Sequence, residues 1–261
     1  MQLLWRSAFS IALFALLACV IGFWLALQPS VLRQNLAASP LPRQDQPATE
    51  SPLPATGQVR IVTLGDSLTR GAGDANGQGY VGLIRDQLEK ETGEKPLLNN
   101  LAINGLQSVG LLEQLEQSHV RQLLGHADLI LFTIGGNDLF RQSGGLYELD
   151  EAKLTEAMDR LSANYAQILS RLRALNSKAT IVYTALYNPF GDTDAAGDST
   201  RHVLAWNSKA AEIAAAYPHV IVVPTYDLFL HKEQKYLYTD HFHPNSEGYA
   251  RMAERILQAL Q

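Results

Sequence analysis

From Val59 onward, short apolar runs alternate with longer stretches in which apolar positions recur every three or four residues. VRIVTL (Val59 to Leu64), LLNNLAI (Leu97 to Ile103), DLILFTI (Asp128 to Ile134), TIVYTAL (Thr180 to Leu186) and HVIVVPTY (His219 to Tyr226) predict five strands. The third run is almost wholly apolar, as expected of a strand buried on both faces of a parallel sheet. Helical spacing predicts helices over Tyr80 to Glu91, Leu111 to Leu124, Glu151 to about Leu175, Val203 to Ala216 and Ser246 to Leu260. The longest places Leu154, Met158, Leu161, Tyr165, Ile168 or Leu169, and Leu172 along one face. Strands separated by helices in this order predict an α/β fold, with a parallel sheet covered on both sides. The segment Asn188 to Thr200 is rich in turn residues, has little to bury and reads as a mobile loop.

The pattern differs at the front. Ala8 to Leu27 is a run of twenty uncharged residues, long enough as a helix to cross a hydrocarbon core of about 30 Å. It reads as an uncleaved signal anchor, with Arg6 and the amino terminus on the cytoplasmic side and the globular part outside. The run is longer than the apolar core of a cleaved signal peptide. LLAC at Leu16 to Cys19 offers a loose lipoprotein signal, but eight apolar or small residues follow Cys19 where a polar tether would begin. Gln28 to Gly57 has six prolines among Ala, Ser and Gln and no lasting apolar face, which describes a tether. The expected organisation is therefore an anchor over residues 1–28, a linker over 29–57 and a folded domain over 58–261.

Composition narrows the chemistry. The chain of 261 residues carries a net charge of -5, and the part from Gln58 onward is acidic with no basic run, so nothing suggests a nucleic-acid partner. The sole cysteine, Cys19, lies in the apolar run, so the domain has no bridge of its own. No phosphate-binding loop is present, and Gly71-x-Gly73 lacks the continuation of a dinucleotide motif, so no cofactor is expected.

Ligands of a parallel α/β sheet collect beyond the carboxyl ends of the strands. Asp66-Ser67, Asn104-Gly105, Gly135-Gly136-Asn137-Asp138 and Asn188-Pro189 each follow a predicted strand, which puts four polar loops at one edge. A nucleophilic serine needs a base, and the base an orienting group. Only His241 and His243, of seven histidines, lie in a dense polar loop, where Asp240 stands three residues before His243. The N–H groups of Ser67 and Gly105 and the side-chain amide of Asn137 could serve as oxyanion donors.

These motifs together resemble the SGNH hydrolases, also called the GDSL esterase and lipase family, over essentially Val59 to Gln261. The resemblance rests on Gly65-Asp66-Ser67-Leu68, Asn104-Gly105, Gly135-Gly136-Asn137-Asp138 and Asp240 to His243, in that order. It implies a three-layer α/β/α fold around a mainly parallel five-stranded sheet. It further implies Ser67 as nucleophile, His243 as base and then acid, Asp240 as its orienting partner, and Ser67, Gly105 and Asn137 in the oxyanion hole, with neither metal nor organic cofactor.

Plainer readings compete at several positions. Ser67 could be a helix cap, and Asp66 and Asp138 read as carboxylates that brace their loops rather than react. His241, His243, Asp240 and Asp227 form a weak metal-binding set. The remaining histidines read as surface groups. Tyr187, Phe190, Trp206, Phe229 and Phe242 suit either a substrate pocket or packing. The functional expectation is a serine esterase or lysophospholipase-like lipase acting on a small-molecule or lipid ester. A deacetylase of cell-wall or extracellular polysaccharide and a non-catalytic lipid- or glycan-binding module are the alternatives.

Overall fold

All five apolar runs become strands, the first displaced by one residue and the other four trimmed to the residues that have hydrogen-bonding neighbours. The computed structural model describes Cys19, Leu53 and residues 57–141 and 150–261. The expected anchor and nearly all of the linker lie outside the described residues, among which no helix is long and apolar enough to cross a membrane. The strands are β1 (Arg60–Gly65), β2 (Leu97–Asn100), β3 (Leu129–Thr133), β4 (Thr180–Thr184) and β5 (Val220–Val223). They form one sheet in the order β2-β1-β3-β4-β5, and every pairing is parallel. The chain steps outward from β1 to β2 and then returns past β1 to β3, so the ends of β1 and β3 flank a topological switch point.

Alternate strand residues feed two cores. Val62, Leu64, Ile130, Phe132, Ile181 and Tyr183 face one side, where they meet α3 (Ser108–Gln114), α4 (Ser118–Gly125), α6 (Glu151–Leu175) and α7 (Ala196–Ala214). Ile61, Leu129, Leu131, Val182 and Val223 face the other, against α2 (Gly79–Thr92) and α10 (Ser246–Ala259). The result is helices on both faces of the sheet, with the period-two alternation hidden from sequence because both faces are apolar.

Several boundaries differ from expectation for local reasons. The expected helix over Leu111 to Leu124 is two helices, because Gln117 is extended and α4 starts afresh at Ser118. Asn188 to Thr200, read as a loop with little to bury, buries several of its residues. Asn188 is buried and donates to Ser199 Oγ and Thr200 Oγ1 at 3.0 Å, Phe190 is buried, and α7 already begins at Ala196. A buried Asn that satisfies its own turn cannot be told from an exposed one by composition. His202, expected at the surface, is buried on α7, with Nε2 3.2 Å from Glu151 Oε2. Trp206 and Phe229 belong to the core: Trp206 donates to Tyr183 OH at 2.7 Å, and Phe229 stacks on Tyr187.

Candidate active site

The β1 end shows why a glycine precedes the reactive loop. A Cβ on Gly65, at φ 108°, would stand 2.0 Å from the Thr133 carbonyl oxygen, so only glycine lets β1 turn this close to β3. Asp66 then caps α1 (Ser67–Arg70), accepting the Leu68 N–H at 3.1 Å. The cap is Asp66, and Ser67 is the first helical residue, which answers the capping alternative for the serine. Asp66 also accepts Thr133 Oγ–H at 2.6 Å. Burial pushes its carboxyl above the usual range, and the bonds from Thr133 and Leu68 offset this only in part. These two bonds tie the turn behind β1 to the end of β3, and Ser67 follows directly.

The histidine arrives on a loop before α10. An isolated bridge joins Leu237 to Pro244, and Tyr238 N–H donates to the His243 carbonyl at 2.7 Å. Asp240 Oδ1 accepts the N–H groups of Phe242 and His243, both at 3.0 Å, and its Oδ2 lies 2.7 Å from His243 Nδ1. The far nitrogen, Nε2, is 2.8 Å from Ser67 Oγ. Burial pushes the Asp240 carboxyl up, but the hydrogen bonds from His243 and Phe242 outweigh it and hold the group below the usual range. An ionised carboxylate only accepts, so Nδ1 carries the proton, Nε2 is left as acceptor, and the serine hydroxyl donates to it. Residues 176 positions apart in sequence are thus joined in one hydrogen-bonded series.

Asn137 and Gly105 come from the segments that follow β3 and β2. Gly135, at φ 115°, would place a Cβ 3.1 Å from Leu161 Cδ2 and Trp206 Nε1, so the turn into α5 (Gly136–Phe140) packs directly on the core. Asn137 Nδ2 donates to the Leu106 carbonyl at 3.1 Å and keeps a second amide hydrogen for another acceptor. Asp138 accepts Ser108 N–H at 2.9 Å and Ser108 Oγ–H at 2.5 Å, bolting the start of α3 to α5. Its carboxyl is raised by burial, with the Ser108 bonds only partly compensating. Gly105 sits at φ 74° in the turn after β2, where Arg141 Nη1 donates to its carbonyl at 3.1 Å.

The metal-binding alternative finds no such geometry. Asp227 is engaged by Arg255 at 2.8 Å, and no group of three or more His, Cys, Asp or Glu among the described residues is placed to hold an ion. Of the aromatic residues singled out, Phe190 and Phe242 line a cavity of about 350 Å³ together with Gly136, Asn137, Phe140 and Arg141. A narrower recess shares Asn137, Phe140 and Phe242 and reaches Ser67. Phe140 was not foreseen: of the two apolar residues behind Asn137-Asp138, Leu139 is buried in the core and Phe140 lines the cavity.

A parallel sheet with these loops gathered at its switch point is the arrangement of the SGNH hydrolase superfamily, a class of esterases and lipases. Residues 63–251 match the model of the GDSL-like Lipase/Acylhydrolase family, and the chain belongs to that family. It is 34% identical over 208 residues to the uncharacterized protein YpmR of Bacillus subtilis (strain 168), covering 78% of this chain and 82% of that protein. It is 31% identical over 208 residues to the spore germination lipase LipC of Bacillus licheniformis, covering 77% of this chain and 96% of LipC. Among solved structures, the lipase Lip_vut3 from a goat rumen metagenome aligns with a TM-score of 0.67 at 27% identity, over 78% of this chain and 97% of that one. An acetylxylan esterase from Geobacillus stearothermophilus aligns with a TM-score of 0.61 at 20% identity, over 78% and 95%, a likeness of fold alone.

Proposed function

We propose that this GDSL-type enzyme hydrolyses carboxylic esters with a sizeable apolar acyl group, through Ser67, His243 and Asp240. The observation that carries the reading is the Asp240–His243–Ser67 series at 2.7 and 2.8 Å. His243 Nε2 takes the Ser67 proton as Oγ bonds to the ester carbonyl carbon, and the carbonyl π electrons move onto oxygen. The N–H groups of Ser67 and Gly105 and the amide of Asn137 stabilise that oxyanion. When the tetrahedral intermediate collapses, the C–O bond to the alcohol breaks and His243 returns the proton to the departing oxygen. Water, deprotonated by the same histidine, then releases the acid from Ser67. Asp240 stays ionised and steadies the imidazolium.

The cavity between Phe140, Phe190 and Phe242 supports an acyl chain over acetate. At about 350 Å³ it falls within the size range of small-molecule sites. An acetyl group would leave most of it empty, and a sugar would set hydroxyls against three phenyl rings, with Arg141, Thr193, Asp240 and His241 among the polar part of the lining. These points favour a lipid-like ester over polysaccharide deacetylation. The Ala8 to Leu27 segment, as a signal anchor, would hold the domain outside the cytoplasm near lipid.

The test is hydrolysis by purified full-length protein of p-nitrophenyl esters from acetate to long acyl chains and of acetylated glycan, with Ser67→Ala as control. Activity abolished by the substitution and rising with chain length is expected, and Phe190→Ala should flatten that rise by several-fold. Activity that survives loss of Ser67, or is confined to acetyl groups, refutes the respective half of the proposal.

A further inference from the structure

The loop between α1 and α2 joins the serine to the histidine from behind. Its first residues are bonded to the serine itself: Gly71 and Ala72 N–H donate to the Ser67 carbonyl, both at 3.0 Å. Its middle lies against the histidine loop. A Cβ on Gly73, at φ 88°, would come within 2.6 Å of the Pro244 carbonyl oxygen and 2.9 Å of His243 Cβ. Gly73 thus permits close backbone approach to the His243 loop, while Gly71 packs on Gly79 at the end of its own loop, and neither use involves a nucleotide.

Two side-chain ties close the loop onto α10. Ser246 Oγ–H donates to Asp74 Oδ1 at 2.5 Å, while Asp74 Oδ2 accepts the N–H groups of Gln78 and Gly79 at 2.8 and 2.9 Å. Tyr249 OH, one turn further along α10, donates to the Ala72 carbonyl at 2.6 Å. Ser246 is three residues from His243, and Asp74 is seven from Ser67, so little chain separates each tie from the reacting atoms. Burial pushes the Asp74 carboxyl up, but the bonds from Ser246, Gly79 and Gln78 outweigh it and hold it below the usual range. It is an anion with both oxygens committed.

We propose that Asp74 and Ser246 form a latch that holds His243 Nε2 against Ser67 Oγ, making both positioning residues for the hydrolytic reaction. The inference rests on the reading of Ser67 and His243 given above. Asp240 sets the rotation of the imidazole, but Asp240 and His243 ride on the same loop and cannot fix that loop's distance from Ser67. The latch does so from the serine side. A displacement of about 1 Å between reacting groups lowers turnover on the order of 100-fold, while substrate contacts elsewhere are untouched.

Steady-state hydrolysis of p-nitrophenyl octanoate by the full-length protein tests this, together with the labelling rate of Ser67 by a fluorophosphonate probe and thermal melting. Ser246→Ala and Asp74→Ala should each lower kcat and the labelling rate by about 10- to 100-fold with KM changed less than threefold. The double variant should be no slower than Asp74→Ala, which already removes the tie to Ser246 along with the bonds from Gln78 and Gly79. Ser246→Thr, which keeps the hydroxyl, should restore most of the rate. Wild-type activity with both single variants within twofold of it overturns the latch even if their melting points fall, because stability is then all the tie provides. So does failure of Ser246→Thr to recover any rate. A wild-type protein without Ser67-dependent activity overturns the hydrolytic reading and the latch with it.

Discussion

Replacing Gly73 by alanine perturbs the proposed base, His243, without replacing any residue of the proposed triad. The added methyl would lie 2.6 Å from the Pro244 carbonyl oxygen, where ordinary contact begins near 3.4 Å, so the His243 loop must retreat by about 0.8 Å. Such a movement stretches the 2.8 Å Ser67–His243 hydrogen bond past the usual limit of about 3.2 Å. Turnover should fall on the order of 100-fold with KM little changed. The backbone at φ 88° adds a separate cost of roughly 1–2 kcal/mol for a residue with a Cβ. In a domain of this size that lowers Tm by about 2–8 °C. Gly77→Ala separates the two effects, since Gly77 has φ 65° but nothing within 4 Å of its Cβ. It should lose comparable stability and keep its kcat. The assay is kcat and KM on p-nitrophenyl octanoate for wild type and both variants, with melting curves on the same samples. A Gly73→Ala protein with kcat within threefold of wild type would refute the claim that this loop sets the serine–histidine distance.

On the proposed mechanism Asn137→Ala removes an oxyanion donor and should cost about 3–4 kcal/mol of transition-state stabilisation, a 100- to 1,000-fold loss in kcat; an unchanged kcat would strike Asn137 from the site. The same variant should still be labelled by a phosphonate, at a reduced rate, because Ser67 and His243 keep their contact. Acid stability follows from Asp74 and Asp240, whose carboxyls are held below the usual range in the folded chain. The stability they add is present above the unfolded carboxyl pKa of about 4 and is lost as pH falls through their lowered folded values. Melting curves from pH 6 down to pH 3 should therefore show a decline that is shallower in Asp74→Asn; equal slopes would count against an ionised latch.

Much of the fold was legible because parallel strands buried on both faces leave apolar runs that helices do not imitate. The 3.6-residue period of α6 was equally plain, and the structure places it at Glu151–Leu175. Asn188 to Thr200 was misread because its turn residues look solvated, whereas Asn188 and Ser199 satisfy one another in the interior. His202 was misplaced for a similar reason, since a lone histidine carries no mark of burial. Asp74 and Ser246 escaped notice because each is unremarkable in its own segment and gains meaning only from the other, 172 residues away.

The sequence by itself determined the candidates for the proposed chemistry: Ser67, Asn137, Asp240 and His243 are short-range signals, set by strand ends and tight turns that local composition records. It also determined the sheet, through the order of apolar runs. What only the tertiary structure decided are the distances between those loops: the 2.8 Å from Ser67 to His243, the closure of Phe140, Phe190 and Phe242 around one cavity, and the tie from Asp74 to Ser246. Each joins segments whose separation along the chain leaves no periodic trace, and each is fixed by the packing of helices on a twisted sheet.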